Sequence, residues 1–261
     1  AIIGGASNRV DGTYGVTIAG TDNVILDNAL YSATIGGRDN TISADYAVAA
    51  AGLRSQVDGA YSAAISGNDN RIAEEAIYAV ALAGKDNVLE GARSATVSGA
   101  DNITYGERGV VLGGISNESH VADAVLVGGE GGDNHGSQTV IIGGQGNHIG
   151  SDSTDTRFSV VVGGRFADLN AGYCGVISGG SGNTLAPDSL GDVNQTCSIF
   201  GGKGNTNAGS MSATIVGGTN NQLNQRPGGG ADLSIGVKSF IGSIQYDNTQ
   251  NIRVTGEPEE E

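Results

Sequence analysis

Residues 1–8 read Ala-Ile-Ile-Gly-Gly-Ala-Ser-Asn, and variants of this phrase return thirteen more times along the 261-residue chain. The fifth residue of the phrase is glycine in every copy, and the last residue, called here the turn position, is Asn in eleven of the fourteen. The turn positions are residues 8, 23, 40, 55, 70, 87, 102, 117, 132, 147, 167, 183, 205 and 221. Their spacing is most often 15 residues, and such a period is the signature of a repeat architecture.

Each repeat contains two short apolar segments. A three-residue segment ends five residues before the turn position, as in Val16–Ile18 and Val140–Ile142, and one more apolar residue usually follows two after it. Two short strands and two turns fit fifteen residues, whereas leucine-rich, ankyrin and tetratricopeptide arrays fail on period and composition. The sequence therefore predicts an all-β fold, a parallel β-roll or β-solenoid of about 14 coils with strands about 4.8 Å apart.

The repeat rule weakens after the last turn position. We assign residues 1–225 to the solenoid, residues 226–254 to an irregular C-terminal cap or assembly segment with closing strands, and residues 255–261 to an acidic tail. The formal net charge of −15 argues against a nucleic-acid partner, because phosphate contacts need a basic face. No apolar run reaches membrane-spanning length, so we expect no membrane insertion.

Equivalent residues of successive coils stack in a parallel solenoid, so columns of residues carry the information. The invariant glycine predicts a positive φ or a close backbone approach at a corner, and the Gly, Ala or Ser before it indicates that the corner is crowded. The Asn residues at the turn positions predict a ladder of hydrogen-bonded side-chain amides. A second column, nine residues before five successive turn positions, contains Tyr14, Tyr31, Tyr46, Tyr61 and Tyr78. Stacked rings stabilise such a column, and a strip for glycan or protein contact is the alternative interpretation.

Acidic residues precede five of the turn positions: Asp22, Asp39, Asp69, Asp86 and Asp101. Calcium favours oxygen ligands, which makes Asp69, Asp86 and Asp101 candidate calcium ligands. No other cofactor and no further metal site is expected. His120, His135 and His148 fall in neighbouring coils, but none has a Cys or a second His at metal-ligand spacing. We find no catalytic constellation, and the chain is expected to be non-enzymatic.

Cys174 and Cys197 lie at nearly the same place in adjacent coils, one residue out of register, which predicts an intramolecular disulfide. An intermolecular bond is the alternative. Asn102, Asn117 and Asn194 each begin a tripeptide that matches the N-glycosylation sequon, and Asn194 is the candidate glycosylation site.

A large aliphatic column occupies the middle of the apolar triplets from the eighth coil onward. Its members are Val111, Leu126, Ile141, Val161, Ile177, Ile199 and Ile215. If the outer two residues of each triplet face the coil interior, the period of two places this column on the outer face. We therefore expect these seven residues to form a subunit interface, and burial beneath the protein's own insertions at residues 151–158 and 186–196 is the alternative.

Units such as Ser32–Asn40 (Ser-Ala-Thr-Ile-Gly-Gly-Arg-Asp-Asn) and Ser94–Asn102 (Ser-Ala-Thr-Val-Ser-Gly-Ala-Asp-Asn) resemble the left-handed parallel β-roll head repeats of trimeric autotransporter adhesins and of related phage fibre proteins. The composition is more loosely similar to that of self-assembling archaeal sheath proteins. The resemblance implies an extracellular, usually trimeric, non-enzymatic rod.

These observations predict an extracellular structural protein that self-assembles through solenoid edges and an aliphatic face into a cell-surface fibre, sheath or layer. The first repeat begins at Ala1 without a cap, and an open parallel edge is a template for another chain. The alternative is the receptor-binding head of a trimeric adhesin or phage tail fibre. The expected partner is a second copy of the chain, with a glycan or protein receptor in the alternative, and the expected location is extracellular, at a cell or virion surface.

Overall fold

The computed structural model describes residues 1–150, 156–170, 173–186, 197–208, 212–224, 231–235, 242–246 and 252–256. These residues form strands, bridges, turns and bends, and no helix among them is long and apolar enough to cross a membrane. The chain divides into two compact units, Ala1–Glu130 and Gly131–Glu261. Each unit is a parallel β-solenoid, which confirms the predicted fold class, with eight of the turn positions in the first unit and six in the second.

The first unit contains two parallel sheets, one from the odd-numbered and one from the even-numbered strands. The odd-numbered strands are β1 (Ile2–Ile3), β3 (Val16–Ile18), β5 (Ala33–Ile35), β7 (Val48–Ala50), β9 (Ala63–Ile65), β11 (Val80–Leu82), β13 (Ala95–Val97), β15 (Val110–Leu112) and β17 (Val125–Val127). The even-numbered strands are β2 (Arg9–Val10), β4 (Val24–Ile25), β6 (Thr41–Ile42), β8 (Gln56–Val57), β10 (Arg71–Ile72), β12 (Val88–Leu89), β14 (Ile103–Thr104) and β16 (Glu118–Ser119).

The second unit repeats this arrangement with six even-numbered and six odd-numbered parallel strands, and it adds an antiparallel pair. The even-numbered strands are β18 (Asp133–Asn134), β20 (His148–Ile149), β22 (Asp168–Leu169), β24 (Thr184–Ala186), β26 (Thr206–Ala208) and β28 (Gln222–Asn224). The odd-numbered strands are β19 (Val140–Ile142), β21 (Val160–Val162), β23 (Val176–Ser178), β25 (Ser198–Phe200), β27 (Ser212–Val216) and β29 (Ala231–Ile235). The antiparallel pair is β30 (Gly242–Tyr246) and β31 (Ile252–Gly256).

Each coil has a third side that the sequence pattern did not predict. The residue two before the turn position forms a single parallel bridge to its equivalent in the next coil, as in Arg38 to Leu53 and Leu53 to Asn68. Two strands and this bridge give three hydrogen-bonded contacts per coil, so the backbone is paired on every side of the coil.

The middle residue of each apolar triplet points inward, and the outer two point to the surface. The inward residues include Thr17, Thr34, Ala49, Ala64 and Ala81, and all are 0–1% exposed. The predicted interface column has the same orientation, with each member 0–1% exposed: Val111, Leu126, Ile141, Val161, Ile177, Ile199 and Ile215. Its assignment to a subunit interface is therefore wrong, because these side chains form the core of their own coils.

The physical reason is that both faces of the triplets are apolar, so their period of two does not identify the inward face. Side-chain volumes across the first unit do identify it. Small inward residues such as Ala49 and Ala81 belong to one core cluster with large residues two after the turn position, Ile72 and Leu89 among them. Where the inward residue becomes large, at Leu126, the residue two after the turn becomes small, as at Ser119. The two columns thereby keep the interior filled.

Several polar groups that enter the interior are hydrogen-bonded to one another or to the backbone. Thr34 Oγ1 donates to Thr17 Oγ1 at 2.8 Å, and Thr96 and Thr104 share a hydrogen bond of 3.1 Å across the coil. In the second unit, Asn134 Oδ1 accepts hydrogen bonds from the Gly136 amide and from Thr139 Oγ1. These pairs replace aliphatic contacts at little cost because donor and acceptor satisfy each other.

The turn-position Asn side chains form the predicted ladder. Asn23 Oδ1 accepts hydrogen bonds from both the backbone amide and Nδ2 of Asn40, at 3.1 and 2.9 Å. The same pair of bonds joins Asn87 to Asn102 in the first unit, and Asn205 to Asn221 in the second. Each Asn therefore fixes the backbone of the coil that follows it.

The invariant glycine is required by this ladder. At Gly37, φ is +76°, and an added Cβ would lie 2.4 Å from the Gly52 carbonyl oxygen and 2.5 Å from Asn40 Nδ2. The preceding residue has a different constraint: Gly36 also has a positive φ, but an added Cβ there meets nothing within 4 Å. The predicted crowding is therefore wrong for that residue. Its left-handed backbone favours Gly, and the open space around it also accommodates the Ala or Ser of other copies.

The orientation of the triplets predicts opposite outcomes for two adjacent aspartate substitutions. Ile141→Asp places a carboxylate in the core and is expected to cost about 4 kcal/mol or more in the free energy of unfolding. Ile142→Asp, on the outward face at 41% exposure, is expected to cost less than about 1 kcal/mol. Denaturant unfolding followed by circular dichroism measures both, and equal losses would contradict the orientation.

The amide ladder predicts a large cost for Asn70→Ala. This change removes the acceptor of the Asn87 backbone amide and of Asn87 Nδ2, at 3.2 and 3.0 Å, so we expect a loss of roughly 2–3 kcal/mol in the free energy of unfolding. Asn68→Ala is the matched control, because Asn68 lies two residues away on the outside of the same coil and should cost about 0.5 kcal/mol. A thermal unfolding series that ranks the control as the more damaging change would refute the role of the ladder.

Candidate functional site

The outward residues of the odd-numbered strands form a continuous apolar surface on the first unit, called here the apolar face. Its first column is Val16, Ala33, Val48, Ala63, Val80, Ala95, Val110 and Val125. Its second column is Ile18, Ile35, Ala50, Ile65, Leu82, Val97, Leu112 and Val127. All sixteen are aliphatic, and none of the first column is buried. The five Ile and Leu residues are 37–45% exposed, although residues of this type usually lie in a core.

The second unit has the same two columns with three polar members. The columns are Val140, Val160, Val176, Ser198 and Thr214, and Ile142, Val162, Ser178, Phe200 and Val216. Phe200, the only aromatic residue in these columns, is 47% exposed. The apolar outer surface is thus a property of the repeat rather than of one coil.

The outward residues of the even-numbered strands are of mixed character. In the first unit they include Arg9, Gln56, Arg71 and Glu118 beside Val88. Charged and polar side chains remain hydrated, so this surface is compatible with water. The first unit therefore has one apolar sheet surface and one sheet surface of mixed polar and aliphatic character.

The five tyrosines stack along the outside of the first unit. Ring centroids of neighbouring tyrosines are 4.7–5.2 Å apart and the planes differ by 5–20°. Each Tyr has a left-handed backbone with φ between 55° and 62°. Because the ring faces cover one another, the edges and hydroxyls face solvent, whereas glycan stacking uses ring faces. The geometry supports the stabilising interpretation of this column.

The column continues with charged residues. Arg93 binds Glu107, and Arg108 binds both Glu107 and Asp123. The hydrogen bonds from Arg108 lower the pKa of Asp123 below its usual range. Opposite charges in adjacent coils replace the ring stack beyond Tyr78.

Three members of the acidic column, Asp39, Asp69 and Asp86, are paired with cations of the chain itself. Arg54 Nε and Nη2 each lie 2.6 Å from the Asp69 carboxylate, and the hydrogen bond from Arg54 lowers the pKa of Asp69. Lys85 Nζ lies 3.2 Å from Asp86. These two carboxylates, proposed as calcium ligands together with Asp101, are thus compensated without a metal ion.

The histidines lie on the outer surface of the even-numbered strands or just beyond their ends. In the first unit, His120 stacks on Tyr105 with centroids 5.0 Å apart and lies 3.1 Å from Glu118. In the second unit, His135 and His148 lie close to Asp133, and His148 also contacts Asp168. Sequence spacing did not predict this group, because its members are brought together by the stacking of coils.

The predicted disulfide is absent: Cys174 and Cys197 both carry thiols. The Val176 amide donates to the Cys197 carbonyl, so Gly175 lies opposite Cys197 and Cys174 is one residue out of register. Successive residues alternate between the two sides of a strand. Cys197 is consequently buried, whereas Cys174 is exposed.

Two of the three sequons are occupied by the amide ladder. Asn102 and Asn117 are buried, and Asn102 Nδ2 donates to Asn87 Oδ1. A folded chain cannot present these two side chains for glycosylation. Asn194 lies outside the described residues.

No protein-family model matches this chain, and no curated protein matches its sequence.

The absence of the disulfide predicts a specific thiol count. Burial raises the pKa of the Cys197 thiol, so Ellman's reagent should titrate one thiol rapidly in the native protein, that of Cys174. Denaturation without reductant should expose two. Fewer than two thiols after denaturation would show that a disulfide is present. A dimer on a non-reducing gel would identify that disulfide as intermolecular.

Proposed function

We propose that this chain is a non-enzymatic structural protein that self-assembles through the apolar face into an extracellular fibre, sheath or layer. The observation that carries the proposal is the unbroken run of sixteen outward aliphatic residues on the first unit. Eight strands about 4.8 Å apart make this surface about 35 Å long. Monomeric soluble proteins rarely expose contiguous apolar patches larger than a few hundred Å².

The alternation of large and small side chains on the apolar face favours another copy of the same surface as its partner. Val and Ala alternate along most of the first column, from Val16 and Ala33 to Val80 and Ala95. Large residues of one copy can therefore fit over small residues of another when the two are offset by one coil. Burial of a Val or Leu side chain stabilises association by roughly 1.5–3 kcal/mol before the entropic costs of binding.

The surrounding surface supports the same proposal. The outward face of the even-numbered strands carries charged and polar groups that keep the assembly soluble on one side. The resemblance of the repeat units to the heads of trimeric autotransporter adhesins and phage fibres also agrees with association through a β-roll surface. In the alternative function, the receptor-binding head of such a protein, the assembly would be a closed trimer rather than a growing fibre or layer.

A matched pair of double variants tests the apolar face. Leu82 and Val97 are adjacent on its second column, while Val88 and Ile103 are adjacent outward residues of the even-numbered strands in the same two coils. Leu82→Glu with Val97→Glu should abolish assembly, because carboxylates cannot be buried unpaired. Val88→Glu with Ile103→Glu adds the same charge and should leave assembly intact.

Light scattering after size-exclusion chromatography and negative-stain imaging give the readout, with circular dichroism to confirm folding. Filaments or layers of the unmodified protein support the proposal, whereas discrete trimers favour the adhesin or fibre head. A protein that is still monomeric at about 100 µM, or a control variant that disassembles as readily as the first, would overturn it.

A further inference from the structure

Two coils of the first unit are longer than the coils that separate them. Turn positions 23 and 40 are 17 residues apart, as are turn positions 70 and 87, whereas the two coils between these pairs have the base period of 15. In each long coil the two extra residues form a turn, residues 27–28 (Asp-Asn) in one and residues 74–75 (Glu-Glu) in the other. The repeat thus places two matching insertions on one side of the solenoid.

Both insertions bulge outward. The tyrosine rings stay stacked from Tyr31 to Tyr78, so the extra residues leave the register of the following column unchanged. The Ala29 amide donates to the Leu26 carbonyl at 3.1 Å across the first turn, and an equivalent bond of 3.1 Å closes the second. All four extra residues are exposed. The two turns therefore stand on either side of two shorter coils, three coil spacings or roughly 14 Å apart.

A cavity of about 310 Å³ lies between the two turns. Every residue that lines it is polar: Asn28, Ser43, Asp58, Arg71, Glu74 and Glu75. The exposed residues come from the two long coils and form the walls, whereas the half-buried Ser43 and Asp58 come from the shorter coils and form the floor. Ligand pockets have volumes of roughly 300–1,000 Å³, so this cavity suits a small ligand.

The carboxylate on the floor is held in one orientation. Ser43 Oγ donates to Asp58 Oδ1, and Gln56 Nε2 donates to Asp58 Oδ2, both at 2.5 Å. A carboxylate has about four lone-pair sites, so each oxygen can accept a further hydrogen bond from a bound molecule. Asp58 is therefore an acceptor that is already positioned before a ligand enters.

Arg71 differs from the other arginines of the first unit, because it has no ion-pair partner in the part of the chain that the structure describes. The other five each contact a carboxylate: Arg9, Arg38, Arg54, Arg93 and Arg108. Glu74 and Glu75 line the same cavity as Arg71 but form no ion pair with it. A guanidinium has five N–H donors. The cavity therefore offers donors and acceptors that a ligand can use.

The chemistry of the lining favours a neutral ligand with several hydroxyl groups. Three carboxylates against one guanidinium make the cavity net negative, which disfavours phosphates and acidic sugars. The guanidinium disfavours a metal cation, and an apolar ligand would meet no apolar side chain. Arg71 and the two glutamates belong to the same wall, so donor and acceptor lie side by side. Neighbouring hydroxyls of a sugar ring can accept from the first and donate to the second.

We infer that this cavity binds a neutral saccharide, such as the terminal hexose of a glycan. Arg71 and the Asn28 amide donate to sugar oxygens, while Asp58 and the glutamates accept from sugar hydroxyls. Arg71 projects from β10, on the sheet surface of mixed character. The site is thus separate from the apolar face and stays accessible when that face is covered.

Saturation-transfer difference NMR on the untagged full chain tests this site, because it detects weakly bound small molecules even on large assemblies. The probes are the methyl glycosides of glucose, galactose, mannose and N-acetylglucosamine, each titrated to about 20 mM, with glycine and inorganic phosphate as charged comparisons. We expect a saturable signal from at least one glycoside with a Kd of roughly 1 mM. Arg71→Met and Asp58→Asn should each weaken that binding about tenfold or more, because both remove hydrogen bonds to a charged group.

Arg9→Met and Glu90→Gln are the matched controls and should leave the Kd unchanged. Arg9 occupies the same column as Arg71, and Glu90 has the same place in its coil as Asp58, but neither lines the cavity. Deletion of residues 74–75 restores the 15-residue period, removes part of one wall and should abolish the signal. Circular dichroism checks that each variant is folded, and the point variants carry the test if the deletion unfolds the chain.

A glycoside signal that Arg71→Met and Asp58→Asn leave unchanged would locate binding elsewhere and overturn the inference. The absence of a saturable signal from all four glycosides would also overturn it. Tighter binding of glycine or phosphate than of any glycoside would overturn it by assigning the cavity to a zwitterion or an anion. These variants do not alter the apolar face, so none of the outcomes bears on self-assembly.

Discussion

The constraint on which the rest of the structure depends is the register between successive coils, and the Asn present at eleven of the fourteen turn positions enforces it. Its side chain bonds the backbone of the following coil, as when Asn23 Oδ1 accepts from the Asn40 amide. A slip of one residue would break this bond and exchange the inner and outer faces of every strand. The glycine three residues earlier supplies the space for the amide or for the backbone of the next coil, as at Gly37 and Gly164 respectively, and no copy of the repeat replaces it.

A fixed register turns single residues into columns, and it also sustains an unusual backbone. The corners place Tyr, Asp, Arg and Ser residues in the left-handed region, where non-glycine residues are strained. Interactions between coils offset this strain: ring stacking from Tyr14 to Tyr78, and ion pairs such as Arg54 with Asp69. The side chains at the corners therefore stabilise the contacts between successive coils. The sheet surfaces remain available for other roles.

The two sheet surfaces differ in chemistry. From β3 to β17, the odd-numbered strands of the first unit carry Thr, Ala, Val or Leu on the inward side and aliphatic side chains on the outward side. Strands that are buried on both faces have a similar composition. The even-numbered strands carry polar side chains outside, and in the second unit these include the Asp133, His148 and Asp168 column. Self-association is thus proposed for the apolar surface.

The sequence by itself determined the architecture. A period of fifteen, the invariant glycine and the recurring Asn are sufficient for a parallel solenoid. A corner sequence that recurs fourteen times needs fourteen equivalent structural positions, and stacked coils provide them. They also determined the amide ladder and the tyrosine column, since residues at the same place in successive coils must be neighbours.

Only the tertiary structure decided which way the strands face. The triplets are apolar on both sides, so Ile141 and Ile142 are equivalent in pattern, and packing against the opposite column places the first in the core. Complementary volumes, such as Leu126 with Ser119, were the available signal. The same register separates Cys174 from Cys197, because a shift of one residue directs one side chain into the coil and the other to the surface. The register also brings His135 and His148 close to the carboxylates around them. Spacing along the sequence does not identify this group, because contacts between coils depend on position within the repeat.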